Sequence, residues 1–187
     1  MKNILIGALL APSFVTQADK NINYNYLEIG YGYININGAL NADGAFMNGG
    51  FELTEKTYLK GYYGRKNTGR FNFDRYGLSF GLHTDVSKST DFYSELILGR
   101  FDTVLDGSML IYGLNIGTRA AVNPQFELIS KIGYTQIDPI NDGYFEVELK
   151  GLFILSKNHA ISAGLQNFDG NAFDNNIGAT LGFRFNF

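Results

Sequence analysis

The last eleven residues of the chain constrain it most. From Ile177 to Phe187 every odd position is apolar (Ile177, Ala179, Leu181, Phe183, Phe185, Phe187). Every even position is small or polar (Gly178, Thr180, Gly182, Arg184, Asn186). Strict period two marks a β-strand with one apolar face and one wet face. A water-soluble chain gains nothing by finishing on three alternate exposed phenylalanines. A strand with lipid on one side and a polar lumen on the other needs that pattern.

The alternation recurs upstream. It predicts strands over about Tyr24–Ile36, Gly44–Leu53, Thr57–Arg65, Asp74–His83, Asp91–Phe101, Met109–Ala120, Phe126–Gln136, Gly143–Leu155, His159–Asn167 and Ala172–Phe187. These lengths suit transmembrane strands, which need roughly 9–11 residues each. After Ala18 no apolar run is long enough for a membrane-spanning helix, so a membrane-embedded chain must close as a barrel. The expected fold is an all-β, antiparallel up-and-down transmembrane β-barrel of ten strands. An eight-stranded barrel is the alternative, because Thr57–Arg65 and His159–Asn167 alternate least cleanly. Two places strain the pattern. Tyr24 and Tyr26 share the Glu28 face unless a bulge intervenes, and Ile97 interrupts a polar face. The connections after strands two, four, six and eight are mostly short. The others, including Asn37–Asp43 and Asp102–Ser108, are longer and richer in Gly, Asn and Asp, as in barrels with short periplasmic turns and longer outer loops.

The chain divides into a secretory signal peptide over residues 1–18 and a barrel domain over 19–187. Lys2 supplies a positive start, Ile4 to Val15 is mostly apolar, and Thr16-Gln17-Ala18 offers a small-residue cleavage site before Asp19. Cysteine is absent, which excludes disulfides, thiolate metal sites and a lipoprotein anchor. The 23 glycines, 16 phenylalanines and 12 tyrosines suit many closely packed strands. A net charge of only −3 argues against a nucleic-acid partner.

The charges are sorted by face. Six of the seven glutamates fall at inward positions: Glu28, Glu52, Glu95, Glu127, Glu146 and Glu148. Six bases join them: Lys60, Arg75, Arg119, Lys131, Lys150 and Arg184. Aspartates concentrate in loops and turns. A self-neutral lumen can cross-pair into a plug or line a narrow water path, and the balance favours a largely occluded interior. Outward charges are few. Arg65 and Arg100 sit at strand ends placed outside, where they meet either lipopolysaccharide phosphates or plain solvent.

Nothing indicates an enzyme. His83 and His159, the only histidines, map to turn-side strand ends on opposite parities, without the neighbours of a hydrolase triad or enough ligands for a metal. An interfacial, structural role is expected for both. Glu146 and Glu148 form an adjacent pair that reads as lumen charge rather than acid and base. Gly30-x-Gly32 leads into more strand and is no nucleotide fingerprint. No cofactor is expected.

The whole pattern resembles small outer-membrane β-barrels of Gram-negative bacteria, on the strength of the leader, the Gly- and aromatic-rich strands and the terminal Gly182-Phe183-Arg184-Phe185-Asn186-Phe187. That resemblance implies that Phe183, Phe185 and Phe187 are read by the barrel assembly machinery, with outer-membrane lipid and lipopolysaccharide as surroundings. Tyr24-Asn25-Tyr26-Leu27-Glu28-Ile29-Gly30-Tyr31, followed by Ala42-Asp43-Gly44, further resembles a family of diffusible-signal-regulated outer-membrane barrels. It implies a barrel with no known catalysis or cofactor. The leading expectation is therefore a structural or narrow-porin barrel. A surface interaction protein acting through Asn37–Asp43 and Asp102–Ser108 is the second. A soluble ligand-binding barrel is the third, though it leaves the terminal phenylalanines hard to place.

Overall fold

A computed structural model describes residues 22–36, 40–104, 107–140, 142–170 and 176–187. The leader over residues 1–18 lies outside the described residues. The chain forms ten strands: β1 (Tyr26–Ile36), β2 (Leu40–Thr54), β3 (Thr57–Asn67), β4 (Asn72–Ser87), β5 (Thr90–Thr103), β6 (Gly107–Asn123), β7 (Phe126–Asp138), β8 (Asp142–Ser156), β9 (His159–Gly170) and β10 (Asn176–Asn186). Each pairs antiparallel with its chain neighbours, and β1 closes on β10 to complete the barrel. The ten-strand expectation holds, and β3 and β9 are full members of the wall.

The two rims differ. At one, here the turn end, strands are joined by the two-residue connections 55–56, 88–89, 124–125 and 157–158. Each of these hairpins carries a register shift just before its turn, at Glu52/Thr54, Asp85/Ser87, Ala121/Asn123 and Ile154/Ser156. At the other rim, the loop end, β3 and β4 are joined by residues 68–71, where Gly69 adopts a left-handed φ of 79° and its N–H donates to Asn67 Oδ1.

The strands are longer than the sequence pattern implied. Asn41, Ala42 and Asp43 belong to β2, Asp102 and Thr103 to β5, and Gly107 and Ser108 to β6, so much of the two expected loops is strand. The expected turn over Thr84–Thr90 shrinks likewise, with β4 running to Ser87. Short polar residues favour turns, but here they are held in the ladder by outward side-chain bonds. Tyr31 Oη donates to Asp43, Tyr33 Oη to Asn41 Oδ1 (2.6 Å) and Tyr76 Oη to Asp102 Oδ2 (3.1 Å). Tyr63 Oη donates to Asp74 Oδ1 at 2.9 Å.

The outer face is apolar across the width of the wall, with Leu27, Ile29, Met47, Leu78, Leu96, Leu98, Leu165 and Leu181 all exposed. Of the 12 tyrosines, Tyr31, Tyr33, Tyr63, Tyr76, Tyr112 and Tyr134 face outward in the loop-end half. Phe51, Phe92, Phe153, Phe183, Phe185 and Phe187 girdle the turn end. Such an apolar band between aromatic girdles is the lipid-facing pattern of a transmembrane barrel.

The other six tyrosines, Tyr24, Tyr26, Tyr58, Tyr62, Tyr93 and Tyr144, face inward. No bulge interrupts β1, so Tyr24 and Tyr26 do share the Glu28 face, and both are buried. Room for these rings comes from glycine. Tyr26 stands opposite Gly50, Tyr58 opposite Gly81, Tyr62 opposite Gly77, Tyr93 opposite Gly117 and Phe46 opposite Gly30. A Cβ added at any of these glycines would overlap the facing ring. Each ring thus lies over the bare backbone of the next strand.

Gly81→Ala should therefore destabilise the barrel by about 1–3 kcal/mol, as overpacking does. Gly61→Ala, whose new methyl would meet only Leu78 at 3.8 Å, should cost far less. Urea unfolding in lipid vesicles, followed by tyrosine fluorescence and heat-modifiable gel migration, reads the difference. Equal midpoints would refute the ring-on-glycine packing.

Candidate functional site in the barrel interior

The interior is the candidate site, and it is built in three layers. At the turn end the segment preceding β1 enters the mouth. Tyr24 stacks on His83 with ring centroids 4.1 Å apart and leans on Tyr58 at 4.6 Å. Its hydroxyl donates to Asp91 Oδ2 at 3.4 Å. Arg119 lies over the Tyr24 ring at 4.4 Å, and its Nη1 donates to the Asn23 carbonyl at 3.0 Å. Arg119 is itself held by Glu127 through two parallel bonds, Nε to Oε1 at 2.6 Å and Nη2 to Oε2 at 3.1 Å. Glu52 is half-exposed at this rim, bonded by Asn25 and 3.8 Å from His83 Nε2.

The middle layer is a chain of ion pairs on one wall and a separate pair on the other. Glu28 is 0 % exposed. It accepts from Arg184 Nε at 2.9 Å, from Ser162 Oγ at 2.9 Å and from Lys150 Nζ at 3.4 Å. Arg184 also lies 4.0 Å from the centre of the Tyr26 ring. Lys150 continues to Glu148 at 3.2 Å, Glu148 to Lys131 at 2.8 Å, and Lys131 to Glu146 at 2.7 Å. On the opposite wall Glu95 holds Lys60 at 3.3 Å and accepts from Tyr58 Oη at 3.0 Å and Asn115 Nδ2 at 2.9 Å.

Small inward residues make these reaches feasible. Lys60 on β3 passes Ser79 and Gly81 of β4 to meet Glu95 on β5. Lys150 on β8 passes Gly164 and Ser162 of β9, then Thr180 and Gly182 of β10, to meet Glu28 on β1. Charges removed from water must be paired and bonded to be tolerated, and each of these carboxylates is.

The loop-end layer departs from the expected polar lumen. Arg75 sits at its base, 3.8 Å from Glu146 across the barrel and between the rings of Tyr62 (5.4 Å) and Tyr144 (5.8 Å). Above it the wall is apolar: Met109, Ile111, Ile137, Tyr144 and Phe168 form a buried cluster with Ile34 and Phe101 packed against it. Ile97 belongs to this inner wall, which explains the broken polarity of β5. A cavity of about 210 Å³ occupies the layer, and a smaller one of about 50 Å³ lies toward the turn end.

All twelve charges expected in the lumen lie on inward faces. Arg65 and Arg100 lie on the outer face near the loop end. The Arg65 side chain is 59 % exposed with Nε 3.4 Å from Asp74, and Arg100 donates to Ser108 Oγ at 2.9 Å. The histidines part company. His159 is exposed between Phe183 and Phe185, with Nδ1 3.0 Å from Ser156 Oγ. His83, expected at the interface, is buried in the lumen against Tyr24, because the glycine-lined face of β4 continues inward at its end. Asp91 and Lys66, which the pattern places at a strand edge and in a loop, also face inward, and continuing the parity of Glu95 back to Asp91 and of Lys60 on to Lys66 would have found both. Parity already sets Tyr24 on the Glu28 face; its role as turn-end stopper comes from its contacts. Among the described residues no group of three or more His, Asp or Glu side chains could hold a metal.

No family model and no curated protein matches the chain. Solved structures do. The NanC porin is similar at 9 % identity and a TM-score of 0.50, over 86 % of this chain and 100 % of that one. A bacterial polysaccharide outer membrane secretin is similar at 10 % identity and 0.50, over 89 % and 66 %. The anion-selective porin from Comamonas acidovorans aligns at 15 % identity and 0.45 over 89 % of this chain, which spans only 57 % of the porin's length. The likeness is one of fold: the chain is built as outer-membrane β-barrels are.

Glu28→Gln should destabilise the barrel by about 3–5 kcal/mol, since it leaves the buried Arg184 and Lys150 without their shared carboxylate. Adding Arg184→Met should recover part of the loss. A double-mutant cycle on urea midpoints in vesicles checks both, and additive losses would show that the pair is uncoupled.

Proposed function

We propose that the chain is an integral outer-membrane β-barrel whose interior is closed to free diffusion, serving as a rigid envelope component rather than an open porin. One observation carries this reading. Lys60, Glu95, Lys131, Glu148 and Lys150 line both cavities, as floor of the larger and roof of the smaller. The ion-pair layer is therefore a partition, and Tyr24, His83 and Tyr58 stop the turn-end mouth beneath it. A permeant ion would have to part several desolvated pairs at once.

Residues 1–18 would direct export and be removed, and the short-turn rim would face the periplasm. Arg65 and Arg100 would then lie at the outer leaflet, each with guanidinium nitrogens left to meet lipopolysaccharide phosphates. Phe183, Phe185 and Phe187, in line on the lipid face at the opposite rim, would be what the barrel assembly machinery reads. The narrower resemblance to diffusible-signal-regulated barrels adds no chemistry, because its Tyr24, Tyr26 and Glu28 are lumen packing here. The loop-mediated interaction reading loses ground for a physical reason: the residues it relied on are largely strand, leaving short connections to meet a partner.

Planar bilayers decide the central point. Wild-type protein should give no discrete conductance steps, whereas Tyr24→Ala combined with Lys131→Ala and Glu148→Ala should give small, resolvable ones. Stepwise conductance from the wild type would overturn the closed reading and restore a narrow porin.

A further inference from the structure

The loop-end cavity combines two features that a mere packing defect or a water channel would not. Its upper wall is apolar, formed by Ile34, Phe46, Phe73, Phe101 and Phe168. An inward apolar wall is the opposite of what a water-filled lumen needs, and nothing in the barrel's closure requires it. Its base is cationic. Five basic side chains line the cavity against three carboxylates.

Two of those bases are not committed to the ion-pair layer. Glu146, the nearest carboxylate to Arg75, is already bonded by Lys131 at 2.7 Å and stands 3.8 Å from Arg75 Nη1. Arg75 lies against Tyr62, whose ring flanks the guanidinium, and among the described residues Glu146 at 3.8 Å is the only carboxylate within ion-pair distance of it. Lys66 lies diagonally across from Arg75, since Gly64 faces Arg75 and Lys66 faces Phe73 in the β3–β4 register. Among the described residues Lys66 makes no ion pair. A guanidinium held between two rings, with its one carboxylate at 3.8 Å and shared with Lys131, keeps bonding capacity for a second carboxylate.

We propose that this cavity is a binding site for a small amphiphilic carboxylate, with its acid group on Arg75 and Lys66 and its apolar body along Phe46, Phe73, Phe101 and Phe168. Size agrees. The cavity measures about 210 Å³, and an engineered apolar cavity of roughly 150 Å³ in another protein takes up benzene. The two halves of the site select jointly: the rings reject small hydrophilic anions, and the guanidinium rejects neutral apolar molecules, which would leave it unpaired. The site does not require a closed barrel, because Arg75, Lys66 and the apolar wall all lie on the loop-end side of the ion pairs.

Purified barrel in lipid nanodiscs, titrated with 4-(trifluoromethyl)benzoate and followed by fluorine NMR against empty nanodiscs, tests the proposal. The benzoate should bind saturably at one site per chain. The isosteric 4-(trifluoromethyl)benzamide and the ring-less trifluoroacetate should each bind at least tenfold more weakly. Arg75→Gln should weaken benzoate binding about tenfold or more, and Lys66→Gln several-fold. Lys66 is half-buried at the rim and outside the central network, so its variant decides the matter should Arg75→Gln fail to fold. Signals no different from empty nanodiscs, equal binding of benzoate and benzamide, or benzoate binding unchanged in Lys66→Gln would each overturn it.

Discussion

The pairing of Glu28 with Arg184 is the interaction on which the rest depends. These two residues stand directly opposite one another in the β1–β10 seam, the one junction that no hairpin enforces. The other nine junctions are tied by connections of a few residues, so their register is largely local. The seam joins strands from opposite ends of the barrel domain, and only side chains can specify where it closes. A slip of one residue would turn the lipid face of β10 into the lumen. A slip of two would keep the faces but set Glu28 against Gly182 or Asn186. The buried carboxylate would then lose its direct cross-strand partner, which is costly in a dry interior. One ion pair therefore selects the register that also aligns Leu27, Ile29, Phe183 and Phe185 on a common outer face.

Once closed in that register, the interior must be filled, and the three layers fill it by different physics. At the turn end flat rings lie on glycine backbones, which packs densely without demanding polar partners. In the middle, long charged side chains cross the lumen over small residues on intervening strands, and each carboxylate has at least one cationic partner. Toward the loop end the inward residues turn apolar while the outward tyrosines bond to Asp43, Asp74 and Asp102. The wall there is partly reversed, with polar groups gathered on the outside near one lipid boundary and hydrocarbon within. That reversal leaves Arg75 at an interface between charge and grease, which is where a charged group is least well satisfied.

The legible part of the fold was whatever period two governs. Strand number, up-and-down order and the inward placement of the twelve lumen charges all follow from alternation, because a barrel wall has two faces and lipid punishes a charge on the wrong one. Alternation fails where a residue's type contradicts its surroundings. Asn41, Asp43 and Asp102 look like turn residues, yet tyrosine hydroxyls hold them in strands. Ile34, Phe46 and Met109 look lipid-facing, yet parity turns them inward, and composition cannot distinguish a hydrocarbon tail from an apolar pocket. Parity gives the face of Tyr24 but not its stopper role, which depends on His83, Asp91 and Arg119, residues 59 to 95 places further along the chain. Pairwise reach of that kind is not encoded in any local pattern.

The proposed partition bears on what this kind of barrel can be for. A diffusion pore spends its cross-section on water, and its selectivity comes from fixed charges beside an open path. Here the charges are consumed by one another, and the cross-section is spent on rings and long side chains. A middle closed as proposed would leave each end free to act separately. The turn end is filled by the chain's own Tyr24, whereas the loop end keeps a cavity whose polar and apolar parts are unmatched within the protein. A barrel built only to be rigid would gain by packing Arg75 against a full ion-pair partner and filling that space with a larger side chain at Gly64 or Thr180. Space, a loosely paired guanidinium and an apolar wall together at one end, above the proposed closure, would make a receptor-like cup rather than a channel.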